Sequence, residues 1–247
     1  MKRPQLISIL LILITWQYIS SILPNSDLFL PSITDVADHL IHDLQSTHTL
    51  YHISTTLNRT LVTFVISMIL GITIAMFSIL SNTLEHFFRP YELLLKSIPN
   101  ISYMFLLFLW IPKTSDAVYL IIFLILFPLF YTSTLQGAKM LEQDLKDVLK
   151  LYDESIYTKV TKIYLPQCSS YIHTTAISCI SLAFKVCVMS EVLGSVKYGI
   201  GRMLYFHKLS LNMEGVFSWT IIIIVMNYIL EWSMNKLFKI VNDHLSL

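Results

Sequence analysis

The sequence predicts an all-α membrane protein: six transmembrane helices with a cytoplasmic loop carrying short helices between the fourth and fifth. Three observations carry that expectation. Of 247 residues, 55% are hydrophobic and only 13% charged, whereas soluble domains run near a quarter charged. Six windows contain no Asp, Glu, Lys or Arg, namely residues 4–25, 60–84, 97–112, 117–138, 167–184 and 215–230. The segment between the fourth and fifth windows is, by contrast, dense in charge. A formal net charge of +1 argues against a general nucleic-acid binder. Cys168, Cys179 and Cys187 have no metal-type spacing and fit as small apolar residues.

A spanning helix needs about 20 mostly apolar residues. The third and sixth windows are short for this, and each extends by a turn because Lys96 and Glu231 can snorkel or face protein. The resulting helices cover residues 5–23, 58–82, 94–112, 116–137, 168–190 and 214–237, in one transmembrane domain spanning 1–247. Lys2 and Arg3 precede the first window, but the following "SSILPNSD" has no small-x-small cleavage pattern, so an uncleaved first helix is expected.

The stretch after it carries His39, His42, His48 and His52 with Asp35, Asp38 and Asp43. The i, i+3 and i, i+4 spacings resemble metal-ligand spacing. The polar face of an amphipathic outer helix explains them more simply, and no metal site is assigned. Arg59, opening the second helix, reads as an interface anchor, and Gly71 suits close helix packing. Ser97, Asn100 and Tyr103 in the third helix could line a path or bond between helices. Lys185, just past the fifth window, is costly in lipid. It either faces a water-filled path, where it would attract an anion, or snorkels outward.

Lys and Arg bias sets orientation. With the N-terminus inside, eleven of these residues fall on the cytoplasmic side and four (Lys113, Lys197, Arg202, Lys208) outside, which puts both termini in the cytoplasm. In the loop at 138–166, Leu145, Val148, Leu149, Tyr152, Ile156, Val160 and Ile163 recur at three- and four-residue spacing. Asp153 interrupts the stripe, and Pro166 is expected to end it before the fifth membrane helix. Two short helices joined there could present an apolar knob to a partner or lie on lipid headgroups.

Asp147, Val148 and Leu149, then Asp153, nine residues, Ile163, Leu165 and Pro166 resemble the "EAA" loop of ABC importer permeases, E-A-A-x3-G-x9-I-x-L-P. "FLPSITDV" (29–36), "LKSIPNIS" (95–102) and "SEVLGSVKYGIGRML" (190–204) resemble further segments of that family, of its nitrate, sulfonate and taurine type. In the last segment Glu191, Gly194, Gly199 and Gly201 match position for position, and Glu191 is expected to fix the Gly-rich outer turn.

The resemblance implies a permease subunit of a binding-protein-dependent importer in a prokaryotic plasma membrane, among lipid. Its solute would be a small anion of the nitrate, sulfonate, taurine or bicarbonate kind, or a thiamine or riboflavin precursor. Residues 147–166 would be the coupling helix docking on a cytoplasmic ATPase. No Walker A stretch occurs, so the chain is not itself an enzyme and binds no cofactor, with ATP-Mg sitting on the partner. Two ATPase copies, an extracytoplasmic substrate-binding protein and a second permease copy, most simply a homodimer, are the implied partners. The rivals are a secondary transporter or channel uncoupled from ATP and a membrane-embedded enzyme. The first expects paired repeats and several intramembrane carboxylates, the second a convergent catalytic set.

The orientation is testable by single cysteines at Lys2, Asp38 and Lys239 in a chain lacking Cys168, Cys179 and Cys187. Impermeant thiol reagent is expected to label position 38 from outside and positions 2 and 239 only from inside. Labelling of position 38 only from inside contradicts the six-helix arrangement.

Overall fold

The computed structural model describes residues 3–24, 26–141 and 155–245, and the described residues form helices and no strand. Asp147, Val148, Leu149, Tyr152 and Asp153 lie outside them. The first helix, α1 (Arg3–Ile22), is apolar and exposed along most of its length. It is tied down where Trp16 Nε1 donates to the Pro31 carbonyl at 3.0 Å and Gln17 Oε1 accepts the Ile33 N–H at 3.1 Å. After the single turn α2 (Ser26–Phe29), Ser32 caps α3 (Ile33–Gln45) by accepting the Asp35 N–H at 3.2 Å.

Helix α4 (Thr47–Leu80) starts eleven residues before the 58–82 expected from hydropathy, because the polar Thr49 and Thr56 are buried against protein. Helices α5 (Asn82–Ser97) and α6 (Asn100–Trp110) meet at a 99° bend. The span expected at 94–112 is therefore broken. Pro99 lacks an N–H and drives Ile98 to ψ 128°, which ends α5 before α6 begins. Helix α7 follows over Thr114–Lys139.

Helix α8 runs without interruption over Ile156–Leu193. Pro166 does not end a helix as expected. The chain passes through it, with Lys159–Tyr164 in π register just upstream. A proline removes the bond to the carbonyl four residues earlier and crowds it, and a wider π turn relieves that crowding. Helices α9 (Ile200–Leu209) and α10 (Met213–Leu245) complete the chain. Among described residues, α4, α7, α8 and α10 are long and apolar enough to cross a membrane, and the bent pair makes a fifth. In α1 the apolar run is Ile7–Ile22, shorter than these, and the expectation of six spans counts it too.

Contacts fix the helix directions. Gly71 of α4 touches Phe130, and Met76 further on packs with Ala138, so α4 and α7 run parallel. A Cβ at Gly71 would stand 2.6 Å from that of Phe130, which shows how closely the backbones approach. Gly137 meets Cys168, and Ser133 donates to the Tyr171 carbonyl at 3.0 Å, so α8 runs antiparallel to both. Two ends result. One holds Lys139, Cys168 and Ile156, and the other holds Thr56, Glu191 and α9. Between them Phe64, Ile121, Phe130, Ile180, Phe184 and Trp219 form one apolar core. The outward face of α4, from Leu61 to Leu70, is Leu, Val and Ile, as a lipid-facing surface requires.

Candidate functional site

At the α9 end, the C-terminal turn of α8 carries Glu191 with its side chain wholly buried. A buried carboxylate must be paired or hydrogen-bonded, and here it is both. Arg59 Nη1 lies 2.5 Å from Oε1, and the Gly201 N–H donates to Oε2 at 2.9 Å. Thr56 Oγ1 is within 3.0 Å of either oxygen and accepts the Ile200 N–H at 2.8 Å. Arg59 also reaches the Tyr198 carbonyl at 2.7 Å, and the Gly199 N–H donates to His52 Nδ1 at 3.0 Å. Arg59 is thus no interface anchor. It is 6% exposed and is the counter-ion of a carboxylate 132 positions away.

This geometry explains two of the glycines. Gly199 has φ +138°, a conformation L side chains rarely adopt, and a Cβ there would strike the Glu191 carboxylate. At Gly201 a Cβ would sit 2.5 Å from both the Glu191 Cβ and the Val188 carbonyl. Gly194 packs against the Phe108 ring.

Near the opposite end, α7 and α8 frame an open cavity of about 600 Å³. Thr132, Ser133 and Gln136 reach it from one face of α7, and Ser170, Thr174 and Ser178 from one face of α8. Thr174 and Ser178 donate to carbonyls one turn back, at 3.0 and 3.2 Å. Their lone pairs remain available to a guest. Lys96 closes one side, donating to Thr132 Oγ1 at 2.7 Å and Glu92 Oε1 at 2.9 Å. The α8 hydroxyls belong to an exposed stripe (Ser170, Thr174, Ser178) that Lys185 continues two turns further on.

The four residues expected along a path lie outside this cavity. Ser97 is exposed and donates to the Leu93 carbonyl at 2.6 Å, Asn100 Oδ1 accepts the buried Tyr103 hydroxyl at 2.7 Å, and Lys185 is exposed. None lines the cavity, but Lys96, next to Ser97, does. In the described part of the coupling segment, Ser155 caps α8 by accepting the Thr158 N–H at 3.2 Å. Ile156 is 67% exposed, Leu165 and Pro166 are exposed, and Ile163 is half-buried. Ile156, Val160 and Leu165 border an apolar groove of about 260 Å³ against Ile72, Met76 and Leu80 of α4.

Residues 55–241 match the family model described as "Binding-protein-dependent transport system inner membrane component". Two solved structures of the MetNI methionine ABC transporter in inward-facing conformations share the fold. The native crystal form superposes with a TM-score of 0.65 at 15% identity, over 80% of this chain and 99% of that chain. The selenomethionine-soaked form gives 0.64 at 14% identity, over 83% and 98%. No curated protein matches by sequence.

Gly199→Ala and Gly201→Ala are each expected to destabilise the fold by about 1–3 kcal/mol through overpacking against Glu191. Ser195→Gly should be tolerated, because Ser195 is exposed with φ 46°. Thermal exposure of the three buried cysteines to a thiol-reactive dye reads all of them. Glycine variants as stable as the parent chain would contradict this packing.

Proposed function

Because the chain belongs to the family of binding-protein-dependent transport system inner membrane components, we propose that it forms half of a solute path energised by two copies of a cytoplasmic ATPase. A substrate-binding protein delivers the solute on the far side. The observation that carries this reading is the hydroxyl-lined cavity on α7 and α8, continued by the exposed stripe to Lys185. Polar side chains and a lysine facing hydrocarbon are costly, and in membrane helices they turn to protein or to water. A second copy related by a two-fold axis covers the stripe and leaves a wet path between the two α8 helices.

Lys96 is matched by Glu92, so the cavity lining itself is close to neutral. Lys185 has no ion pair among the described residues and supplies the attraction for a small anion, of the nitrate, sulfonate, taurine or bicarbonate kind. Asp147–Leu149, Tyr152 and Asp153 with Ile156, Ile163, Leu165 and Pro166 dock on the ATPase, and movement there passes directly into α8, which carries the path. The Lys- and Arg-rich end, with both termini, faces the cytoplasm of a prokaryote. Glu191, Gly194, Gly199 and Gly201 then form the outer turn. Ser97, Asn100 and Tyr103 border the bend between α5 and α6, next to Lys96.

The test is uptake of labelled anions by proteoliposomes holding this chain, its ATPase and its binding protein. Uptake is expected to require ATP hydrolysis. Lys185→Met removes a charged contact worth about 1.5–3 kcal/mol, so apparent affinity should fall roughly ten- to hundredfold, with ATPase retention unchanged. Uptake driven by an ion gradient without ATP would overturn the importer reading. Normal uptake by Lys185→Met would remove the lysine from the path.

A further inference from the structure

A second polar cluster lies at the Glu191 end of the bundle, apart from the Arg59–Glu191 pair. His39 and Asp43, one turn apart on α3, meet His207 from the last turn of α9, and their nearest ligand-type atoms all lie within 4.8 Å of one another. His39 Nδ1 is 3.1 Å from Asp43 Oδ2, which also accepts the Ser218 hydroxyl at 3.0 Å. Asn212 Nδ2 stands 3.3 Å from His39 Nε2.

His207 is the anomaly. It is only 6% exposed, yet neither ring nitrogen has a hydrogen-bond partner among the described residues. Leaving buried polar atoms unmet is costly and calls for an explanation. Room is kept for this ring, since a Cβ at Gly215 would strike it. Burial, and secondarily the neighbouring His39, push the His207 pKa below the ordinary histidine value, against a smaller opposing effect of Asp43. A neutral imidazole has a lone pair to give to a metal ion.

We propose that His39, Asp43 and His207 bind a divalent transition-metal ion of the zinc class, clamping α3 to the junction of α9 and α10. Two imidazoles and one carboxylate suit zinc, whereas magnesium and calcium take oxygen ligands. Ligand atoms about 2.0–2.2 Å from an ion cannot stand more than about 4.4 Å apart, so loading draws the three side chains slightly together. Ser218 donates to the Asp43 carboxylate and orients it, an outer contact of the kind such sites use. The fourth tetrahedral position falls to water.

Hydropathy gives no hint of this site. The α3 spacing resembles a ligand pair, but its third member lies in a helix that starts beyond residue 199.

The experiment uses the full chain in detergent, with any affinity tag removed and metal stripped by chelator. Cobalt(II) is titrated in while the visible d–d bands of a four-coordinate ion are recorded. The expected result is one ion per chain, displaced by zinc, with zinc raising the thermal midpoint. His207→Gln and Asp43→Asn should each weaken binding at least about tenfold. His42→Gln, an exposed histidine on the same helix, should leave it unchanged. A variant whose buried cysteines react immediately is unfolded and is replaced by His39→Gln, judged by the same criterion. Absence of stoichiometric cobalt binding by the parent chain overturns the proposal, as does unaltered binding in folded His207→Gln.

Discussion

The Glu191 carboxylate is the constraint around which one end of the molecule is organised. It sits in a transmembrane helix with no access to water, where an unpaired charge is intolerable. Its partners come from two separate places, Arg59 and Thr56 from α4 and the Gly201 N–H from α9, and Arg59 in turn holds the Tyr198 carbonyl of the turn between α8 and α9. Meeting that one charge therefore dictates the relative position of α4, α8 and α9. It also dictates glycine at 199 and 201, because the approach leaves no space for a Cβ. Replacing the pair by apolar residues could leave stability intact, but breaking it strands a charge. The pair therefore specifies the arrangement more than it stabilises it.

From that fixed end, α8 extends through the apolar core to the other, where it is freer. The hydroxyl stripe is exposed, the cavity beside α7 is open, and the helix begins in a π segment ahead of Pro166.

Much of this was legible in the sequence, and the failures have physical causes. Apolar windows marked the long helices, because hydropathy is a local signal, and Glu191, Gly199 and Gly201 stood out only through the family resemblance of residues 190–204. Arg59 was misread because its partner is 132 positions away, and no local pattern reports a contact at that distance. The 94–112 span and the stop at Pro166 erred in opposite directions. Pro99 breaks a helix where no wider turn intervenes, while Pro166 is absorbed by the π register before it. The cavity was missed because Thr132 and Gln136 gain meaning only beside Ser170, Thr174 and Ser178, which takes the antiparallel packing of α7 on α8. His207 carried no signal at all until α3 was folded against it.

A double-mutant cycle on Arg59 and Glu191, read by unfolding in detergent, tests the central claim most directly. Arg59→Met and Glu191→Met alone should each cost about 3–5 kcal/mol by leaving the other charge buried and unpaired. The double variant should cost no more than either single change, giving a coupling of several kcal/mol. Additive effects, or single changes costing under about 1 kcal/mol as at a surface pair, would contradict the claim that this pair sets the positions of α4, α8 and α9.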